Sequence, residues 1–263
     1  MELIRRLALW HAAAALLALG VWASAARAVP TVAEQLAQGD AAYAHGDLPL
    51  AYSEYSAALK GDSLSYAVLW RLARVESERG EDASGDEQRD LIQAAVEHAR
   101  AAVRAAPDSA QGHVWLAVAL GRQALKEGPK TQLALSREIK SEVDRALAID
   151  PMIGRGYHVR AMWNRKLATL NFMERMAANT VLGGVPKGAS MDNAVRDFQK
   201  AIELEPDYVN HHLELGRTYM SLKRWDDARH ELERAVSLPP HSNPRDPKYQ
   251  AEARKLIGKL PSK

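Results

Sequence analysis

The sequence of 263 residues contains no cysteine and only two phenylalanines. Without cysteine, disulfide bridges and thiolate metal sites are excluded. The chain also lacks the motifs of common catalytic centres, since it has no Gly-x-Ser-x-Gly, no cysteine nucleophile and no pair of carboxylates in a plausible cleft. We therefore predict that the protein is not an enzyme and holds no cofactor or metal.

An excess of charge is lacking as well. The formal net charge is +2, and it belongs to the first 28 residues, which hold Arg5, Arg6 and Arg27 against Glu2. The remainder of the chain carries equal numbers of basic and acidic side chains. This balance gives no support for non-specific binding to nucleic acid, so we predict no nucleic-acid partner.

The first 28 residues have the pattern of a targeting segment. Arg5 and Arg6 form a positive n-region, Leu7–Trp22 is an apolar run, and Ser24–Ala28 ends in a small-x-small pattern. The apolar run is shorter than the roughly 20 residues that span a bilayer. We predict a cleaved signal peptide over residues 1–28, with an uncleaved anchor as the alternative. The protein is then exported, with the periplasm as the favoured compartment and secretion or membrane tethering as alternatives.

Repeats organise the rest of the chain. Pro107, Pro151, Pro206 and Pro240 each follow an alanine-rich helical pattern, and each marks a helix end because proline disfavours helix in the residue before it. The last interval has the spacing of small and large residues found in a tetratricopeptide repeat (TPR). We predict an all-α fold, a TPR-like α-solenoid of about five helical pairs with a C-terminal capping helix. The repeat domain covers residues 29–263, with pairs at about 31–62, 65–107, 109–151, 153–206 and 207–240 and the cap at 247–260.

Two segments depart from a regular repeat. Residues 80–86 (GEDASGD) are polar and typical of a solvated loop. No proline or glycine occurs between Gly156 and Gly183, which predicts one long helix or two helices with a bend near Asn171. Three methionines fall on one side of this run, and we expect them to pack in the core: Met162, Met173 and Met176.

The first helices of stacked pairs usually line a concave face. When they are aligned by their small residues, the stripe next to the buried one is apolar and basic, with Asp40 as its only acidic member. This composition predicts a groove for an anionic or carboxylate-bearing partner, because the planar arginine fork binds such groups. The alternative is that the basic residues are solvated or form ion pairs within the repeats. The predicted groove residues are Trp70, Arg74, Val114, Val118, Arg122, His158, Met162, Arg165, Lys166, Leu213, Arg217 and Met220.

Two other motifs are better explained by structure than by chemistry. His211-His212-x-Glu214 has the composition of a metal site, but successive helical residues point about 100° apart and do not face one ion. We expect His212 to pack or to form hydrogen bonds. Gly183–Gly188 is glycine-rich, but it follows a helix and contains Pro186, which has no backbone donor, so a turn is expected instead of a phosphate loop.

Several motifs are similar to those of one known family. They are Leu69–Arg74, His113–Ala117, His158 with Trp163, Gly183–Gly188, Ala194, Phe198, Ala201, Pro206 and His212–Tyr219. Over about residues 65–260 the chain resembles the regulator of microtubule dynamics family. The resemblance implies an all-α repeat domain that binds without catalysis and, in eukaryotic members, association with microtubules and intracellular membranes. The predicted export signal departs from that setting, so the microtubule function is not carried over.

The sequence thus predicts an exported, non-catalytic TPR-type scaffold that captures a peptide or protein segment in a basic and apolar groove. The alternative is a carrier or sensor of an amphipathic anionic ligand such as a lipid, held between the basic groove and the methionines.

Overall fold

The computed structural model describes residues 30–181, 184–240 and 243–261. The chain divides into two units, Met1–Thr31 and Val32–Lys263. Only Pro30 and Thr31 of the first unit are described, so the predicted signal peptide lies outside the described residues. Within the described ranges the chain forms α-helices and no strand. None of these helices combines the length and the hydropathy of a bilayer-spanning segment.

Twelve helices follow one another in the described chain. They are α1 Val32–Ala44, α2 Leu48–Gly61, α3 Tyr66–Asp82, α4 Gly85–Ala105, α5 Ala110–Ala124, α6 Pro129–Ile149, α7 Gly154–Ala168, α8 Phe172–Val181, α9 Met191–Leu204, α10 Val209–Ser221, α11 Trp225–Ser237 and α12 Asp246–Ile257.

The helices of the second unit stack in pairs. Helix α1 packs on α2, α3 on α4, α5 on α6, α7 on α9 and α10 on α11, and each pair contacts the next through consecutive helices. Helix α12 packs on both α10 and α11. The predicted all-α solenoid is therefore confirmed. Helix α8 is an insertion within the fourth pair, because α9 and not α8 is the main partner of α7.

Close approach within a pair depends on glycine at two positions. A Cβ atom added at Gly216 would lie 2.7 Å from Cγ of Leu232, and one added at Gly39 would lie 2.4 Å from Cε1 of Tyr55. Such distances are far inside normal carbon–carbon contact, so a side chain at either position would push the helices apart. Glycine therefore fixes the spacing of the first and the fifth pair.

In two of the pairs, a histidine on the first helix connects the turn that precedes the pair to the second helix. In the third pair, His113 Nε2 lies 2.9 Å from the carbonyl oxygen of Pro107 and Nδ1 lies 2.6 Å from Glu142. In the fifth pair, His212 Nε2 lies 3.1 Å from the carbonyl oxygen of Pro206, and Nδ1 lies 2.7 Å from Glu231. His212 therefore has the hydrogen-bonding role that the sequence predicted.

One prediction about the irregular segments needs correction, and the structure decides between the two alternatives for the other. The loop at residues 80–86 is much shorter than expected, since α3 continues to Asp82 and α4 begins at Gly85. Of the two alternatives for residues 156–183, the structure has two helices, with Thr169–Asn171 between α7 and α8. Asn171 and Glu174 cap α8 reciprocally, with N–H to oxygen distances of 2.8 and 2.9 Å.

The expectation that the three methionines pack in the core is wrong. Met162 is 37% exposed, Met176 45% and Met173 65%, and the neighbouring Phe172 is 76% exposed. For Met173 and Met176 the physical reason is the insertion of α8. This helix packs on the solenoid mainly through a small contact with α6, so most of its apolar face remains uncovered.

Candidate functional site

The C-terminal part of the chain crosses the surface that the sequence predicts as a groove. We call residues 243–257 the strap, and we call the surface formed by the first helices α1, α3, α5, α7 and α10 the inner face. The strap begins with Asn243, whose Nδ2 donates to the hydroxyl oxygen of Tyr43 at 3.1 Å and to Oε1 of Glu78 at 3.0 Å. Asn243 and Tyr43 are 200 residues apart in sequence. The strap therefore joins the end of the solenoid to its first two pairs.

Arg245 fastens the strap to the C-terminal end of α3. Its Nη1 donates to the carbonyl oxygen of Glu78 at 3.0 Å and to Oδ1 of Asp82 at 2.7 Å, and its Nη2 lies 3.0 Å from Oε1 of Glu81. The Arg245 side chain is buried, and its Nε also donates to the hydroxyl of Tyr249 at 3.2 Å. All three nitrogens of the guanidinium therefore have partners, as a buried charge requires.

A lysine of the strap also binds the acidic C-terminal end of α3. Lys248 Nζ donates to Oδ2 of Asp82 at 2.6 Å. Burial raises the pKa of Asp82, but the hydrogen bond from Lys248 and the charge of Arg245 outweigh burial and hold this pKa below its ordinary value. The carboxylate therefore stays charged and binds the strap at neutral pH.

The other end of the strap rests on the last helical pair. Glu252 forms an ion pair with Arg217 on α10, and Gln250 Nε2 donates to the carbonyl oxygen of Leu238 at 2.6 Å. Ala253 is fully buried against this pair. The strap is thus held by polar contacts at both ends and by apolar packing on α10 and α11.

Below the strap, Arg155 at the start of α7 lies between two aromatic rings. Its guanidinium carbon is 5.1 Å from the ring centre of Trp115 and 4.7 Å from that of Tyr208. Nη1 donates to the hydroxyl oxygen of Tyr208 at 3.3 Å, and the Arg155 backbone N–H donates to Glu205 at 3.2 Å. Burial raises the pKa of Tyr208 to about 12, so this hydroxyl remains protonated.

Two histidines meet between the fourth and the fifth pair. The Nδ1 atoms of His158 and His211 are 2.9 Å apart, and Nε2 of His211 lies 3.0 Å from Oε2 of Glu205. Because the carboxylate accepts, His211 donates from Nε2 and, when neutral, accepts at Nδ1, so His158 donates from Nδ1. Burial lowers the pKa of both imidazoles, and for His158 the charges of His211 and Arg155 lower it further. Glu205 opposes the shift in His211 without reversing it.

The arginines predicted for the groove already have partners. Arg122 forms an ion pair with Glu81. Arg165 pairs with Glu214 and donates to Oγ1 of Thr218 at 3.1 Å.

The first pairs show the same pattern. Arg74 lies 3.5 Å over the ring of Tyr43 and donates to the hydroxyl oxygen of Tyr55 at 3.1 Å. It also stacks on Trp70 at 5.0 Å. For the predicted arginines, including Arg217, the alternative interpretation of ion pairs and contacts within the chain describes the structure.

Two of the predicted groove residues are buried and cannot contact a partner. Val114 is 0% and Leu213 is 1% exposed, and each belongs to a core cluster. They were placed in the groove by helical position alone, and that placement is wrong because neighbouring pairs cover this part of each helix. Trp70, Val118, His158 and Met220 are half-buried, and Met162 and Lys166 are exposed.

The sequence reasoning predicted the capping helix at 247–260, which the structure contains as α12. It missed the contacts of the strap with the first two pairs, which come from Asn243, Arg245 and Lys248. One signal was available in the sequence, because α3 ends with several carboxylates and the basic residues Arg245 and Lys248 lie at the start of α12. No local pattern, however, indicates that these two segments meet. The part of the chain that the structure describes contains no group of three or more histidine or acidic residues arranged to hold a metal ion.

Comparison with known proteins places this geometry in context. A profile of the family described as Regulator of microtubule dynamics protein 1-3 matches residues 34–261. Regulator of microtubule dynamics protein 1 of Mus musculus is 28% identical over 241 residues, which cover 89% of this chain and 77% of that protein. Regulator of microtubule dynamics protein 3 of Mus musculus is 32% identical over 196 residues, covering 72% of this chain and 40% of that protein.

Among solved structures, a thermophilic TPR protein of Thermus thermophilus superposes with a TM-score of 0.65 at 20% sequence identity. The match covers 86% of this chain and 99% of that protein. This likeness shows the TPR-like fold, and the family resemblance predicted from the sequence motifs is confirmed.

Proposed function

The chain belongs to the regulator of microtubule dynamics family, and on that basis we propose that it is a non-catalytic TPR-type scaffold that captures a peptide or protein segment. The observation that carries the proposal is the strap itself. The inner face already holds a helical segment of its own chain through Arg217 and Glu252, with apolar contacts beside them. An inner face that binds one helix by these contacts is suited to binding another segment of similar chemistry.

We assign the partner to the part of the inner face that the strap leaves open, on α7 and α10. Met162 and Lys166 are exposed and lie one helical turn apart, and Met220 on α10 is half-buried. Arg165 bridges the two helices through Glu214 and Thr218, so this surface is fixed. It offers apolar and positive groups, which suit an acidic segment with an apolar residue.

Matched variants test this assignment. The double variant Met162→Glu, Lys166→Glu changes two exposed positions on the surface. The control Met152→Glu, Lys130→Glu makes the same chemical changes at two exposed positions outside it. Each tagged protein is used to capture partners from the exported fraction, proteins and lipids are both identified, and circular dichroism verifies equal helicity.

We expect the control to retain the protein partners of the wild type and the surface variant to lose them. Equal capture by both variants would show that the surface is wrong, while leaving the binding function in place. If the wild type recovers no specific protein, the scaffold function itself is refuted.

The carrier or sensor of an amphipathic anionic ligand remains the second candidate. It is favoured by one observation, the exposed apolar side chains of Phe172 and Met173 on α8. Native mass spectrometry of protein extracted gently from its own compartment tests it. A bound mass that organic solvent removes supports a carried lipid, and a clean apo mass argues against it.

We also propose that the protein is exported, because of the pattern in residues 1–28. The test is fractionation of cells with mass measurement of the purified chain. Loss of residues 1–28 is the expected result, and a full-length chain in the cytoplasm would overturn the proposal. The names of the relatives refer to microtubules, so co-sedimentation with microtubules belongs in the same set of experiments. We expect none for an exported protein.

A further inference from the structure

A second site lies away from the inner face, in a cleft between α6, α7, α9 and the turn before α9. Its volume is about 370 Å³. Helix α7 contributes Arg160 and Asn164 to the lining of the cleft. Each of them is two positions from Met162, a rotation of about 200° around the helix, so they lie on the side of α7 opposite to Met162. The cleft is lined by Lys140, Arg160, Trp163, Asn164, Lys187, Gly188, Asn193, Arg196 and Asp197. It is therefore separate from the surface assigned to the protein partner.

The charges of the cleft do not balance. Four of the lining side chains are cationic and one is a carboxylate, Asp197. That carboxylate is already used, because it accepts from Nε and Nη2 of Arg160 at 2.9 and 2.7 Å and from Nδ2 of Asn164 at 3.0 Å. Asp197 therefore fixes Arg160 in the wall of the cleft and has little capacity left for the other cations.

Two of the cations have no acidic partner among the residues that the structure describes. Lys140 pairs with Asp144, whereas Arg196 contacts only the amide oxygen of Asn193 and Lys187 forms no ion pair with a described residue. Both are exposed at the mouth of the cleft. Two uncompensated positive charges at one opening attract a ligand with about two negative charges.

The backbone around these cations is held in place. Gly188 has φ = +85°, which glycine adopts without strain, and its carbonyl oxygen accepts from Nδ2 of Asn193 at 2.6 Å. Ser190 caps α9 by accepting from the Asn193 N–H at 3.1 Å. The turn with Lys187 is therefore attached to the first turn of α9, where the helix dipole adds to the positive potential.

We propose that this cleft binds the phosphate group of a small molecule, with Arg196 and Lys187 as the anion contacts and Arg160 as a fixed positive wall. A phosphate monoester carries a charge of about −1.5 to −2 at pH 7, which matches the two free cations. The guanidinium of Arg196 binds phosphate oxygens in bidentate fashion. The volume lies near the lower end of the roughly 300–1,000 Å³ of small-molecule sites, and this favours a compact ligand over a peptide.

The test uses the full chain and isothermal titration calorimetry with inorganic phosphate and with glycerol phosphate. The double variant Lys187→Ala, Arg196→Ala removes the two free cations. The control Arg254→Ala, Lys255→Ala removes the same charge from exposed positions on α12. We expect the wild type and the control to bind equally and the cleft variant to bind at least about tenfold more weakly, because two charge-assisted hydrogen bonds are lost.

The source of the phosphate is distinguished by a second arm, in which the same proteins are mixed with vesicles of phosphatidylcholine and phosphatidic acid, whose headgroup is a phosphate monoester. Binding to vesicles that is lost in the cleft variant, without binding of glycerol phosphate, assigns the site to a lipid headgroup. Binding of glycerol phosphate assigns it to a soluble ligand. The proposal is overturned if the wild type binds neither probe, or if the control loses as much affinity as the cleft variant. The Met162 and Lys166 variants leave this cleft intact, so failure here and failure of the partner surface are distinguishable.

Discussion

Replacement of Arg245 by alanine is expected to release the strap from α3. The substitution removes two hydrogen bonds to Glu78 and Asp82 and an ion pair with Glu81. Loss of one partner from a buried ion pair costs about 3–5 kcal/mol, because the other charge is left without compensation. Glu81 and Asp82 are about one-third exposed (32% and 34%), so water solvates them in the variant. We therefore expect the free energy of unfolding to fall by about 2–3 kcal/mol.

The assay is urea unfolding followed by circular dichroism, together with hydrogen exchange of the strap amides. Arg254→Ala is the matched control, since it removes an exposed arginine from the same helix, and its effect is expected to stay within about 0.5 kcal/mol. Arg245→Lys keeps the charge but loses the planar fork, so its loss of stability should lie between those of the other two variants.

Hydrogen exchange separates a local effect from a general one. In Arg245→Ala the strap amides should exchange faster than in the wild type, because the contact with α3 is the part that opens. The amides of α5 and α6 should exchange at the same rate in both proteins. An equal unfolding free energy for Arg245→Ala and Arg254→Ala would refute the reasoning. So would unchanged exchange in the strap, since either result would show that the ionic contacts with α3 do not hold it.

Three further predictions concern the packing, the histidines and a cap. Gly216→Leu should lower the free energy of unfolding by about 1–3 kcal/mol in urea titration, because the new side chain meets Leu232 at a close helix crossing; an unchanged midpoint would contradict this. The pKa values of His158 and His211 are lowered by folding from the ordinary 6.5, so below about pH 6.5 the unfolded chain takes up protons first. Stability should then fall with acidification by up to about 1.4 kcal/mol per pH unit for each histidine, and a His158→Phe variant with the same slope between pH 6.5 and 5.5 would argue against this origin. Ser190→Ala removes the cap of α9 and should cost about 1 kcal/mol, whereas Ser237→Ala at the end of α11 serves as the control with little expected effect.

The repeat architecture could be predicted because it is encoded locally. Small residues such as Gly216 recur at helical spacings, and prolines such as Pro206 mark helix ends. Together these local signals indicate paired helices. The groove could not be predicted to the same extent. The partner of Arg217 on the strap, Glu252, lies two helices further along the chain, and helical position alone did not reveal that Val114 is covered by a neighbouring pair.

The exposure of the methionines, which were expected to pack in the core, has the same kind of cause. The methionines of α8 follow a regular amphipathic pattern, but periodicity does not tell whether another helix covers the apolar side. The two histidine ties, in contrast, had a readable signal, since His113 and His212 each follow a proline by six residues. That spacing predicts the same local geometry in both pairs.

The contact between Asn243 and Tyr43 has a consequence for how the protein unfolds. An open array of repeats is stabilised only by nearest neighbours, so its terminal repeats fray independently and unfolding is gradual. Here the first pair cannot separate without also breaking the hydrogen bond between Tyr43 and Asn243, which lies 200 positions later in the chain. The two ends of the array therefore open together, which favours a single cooperative transition. Closure of so long a loop is entropically costly, and in refolding the two ends should join after the individual pairs have formed.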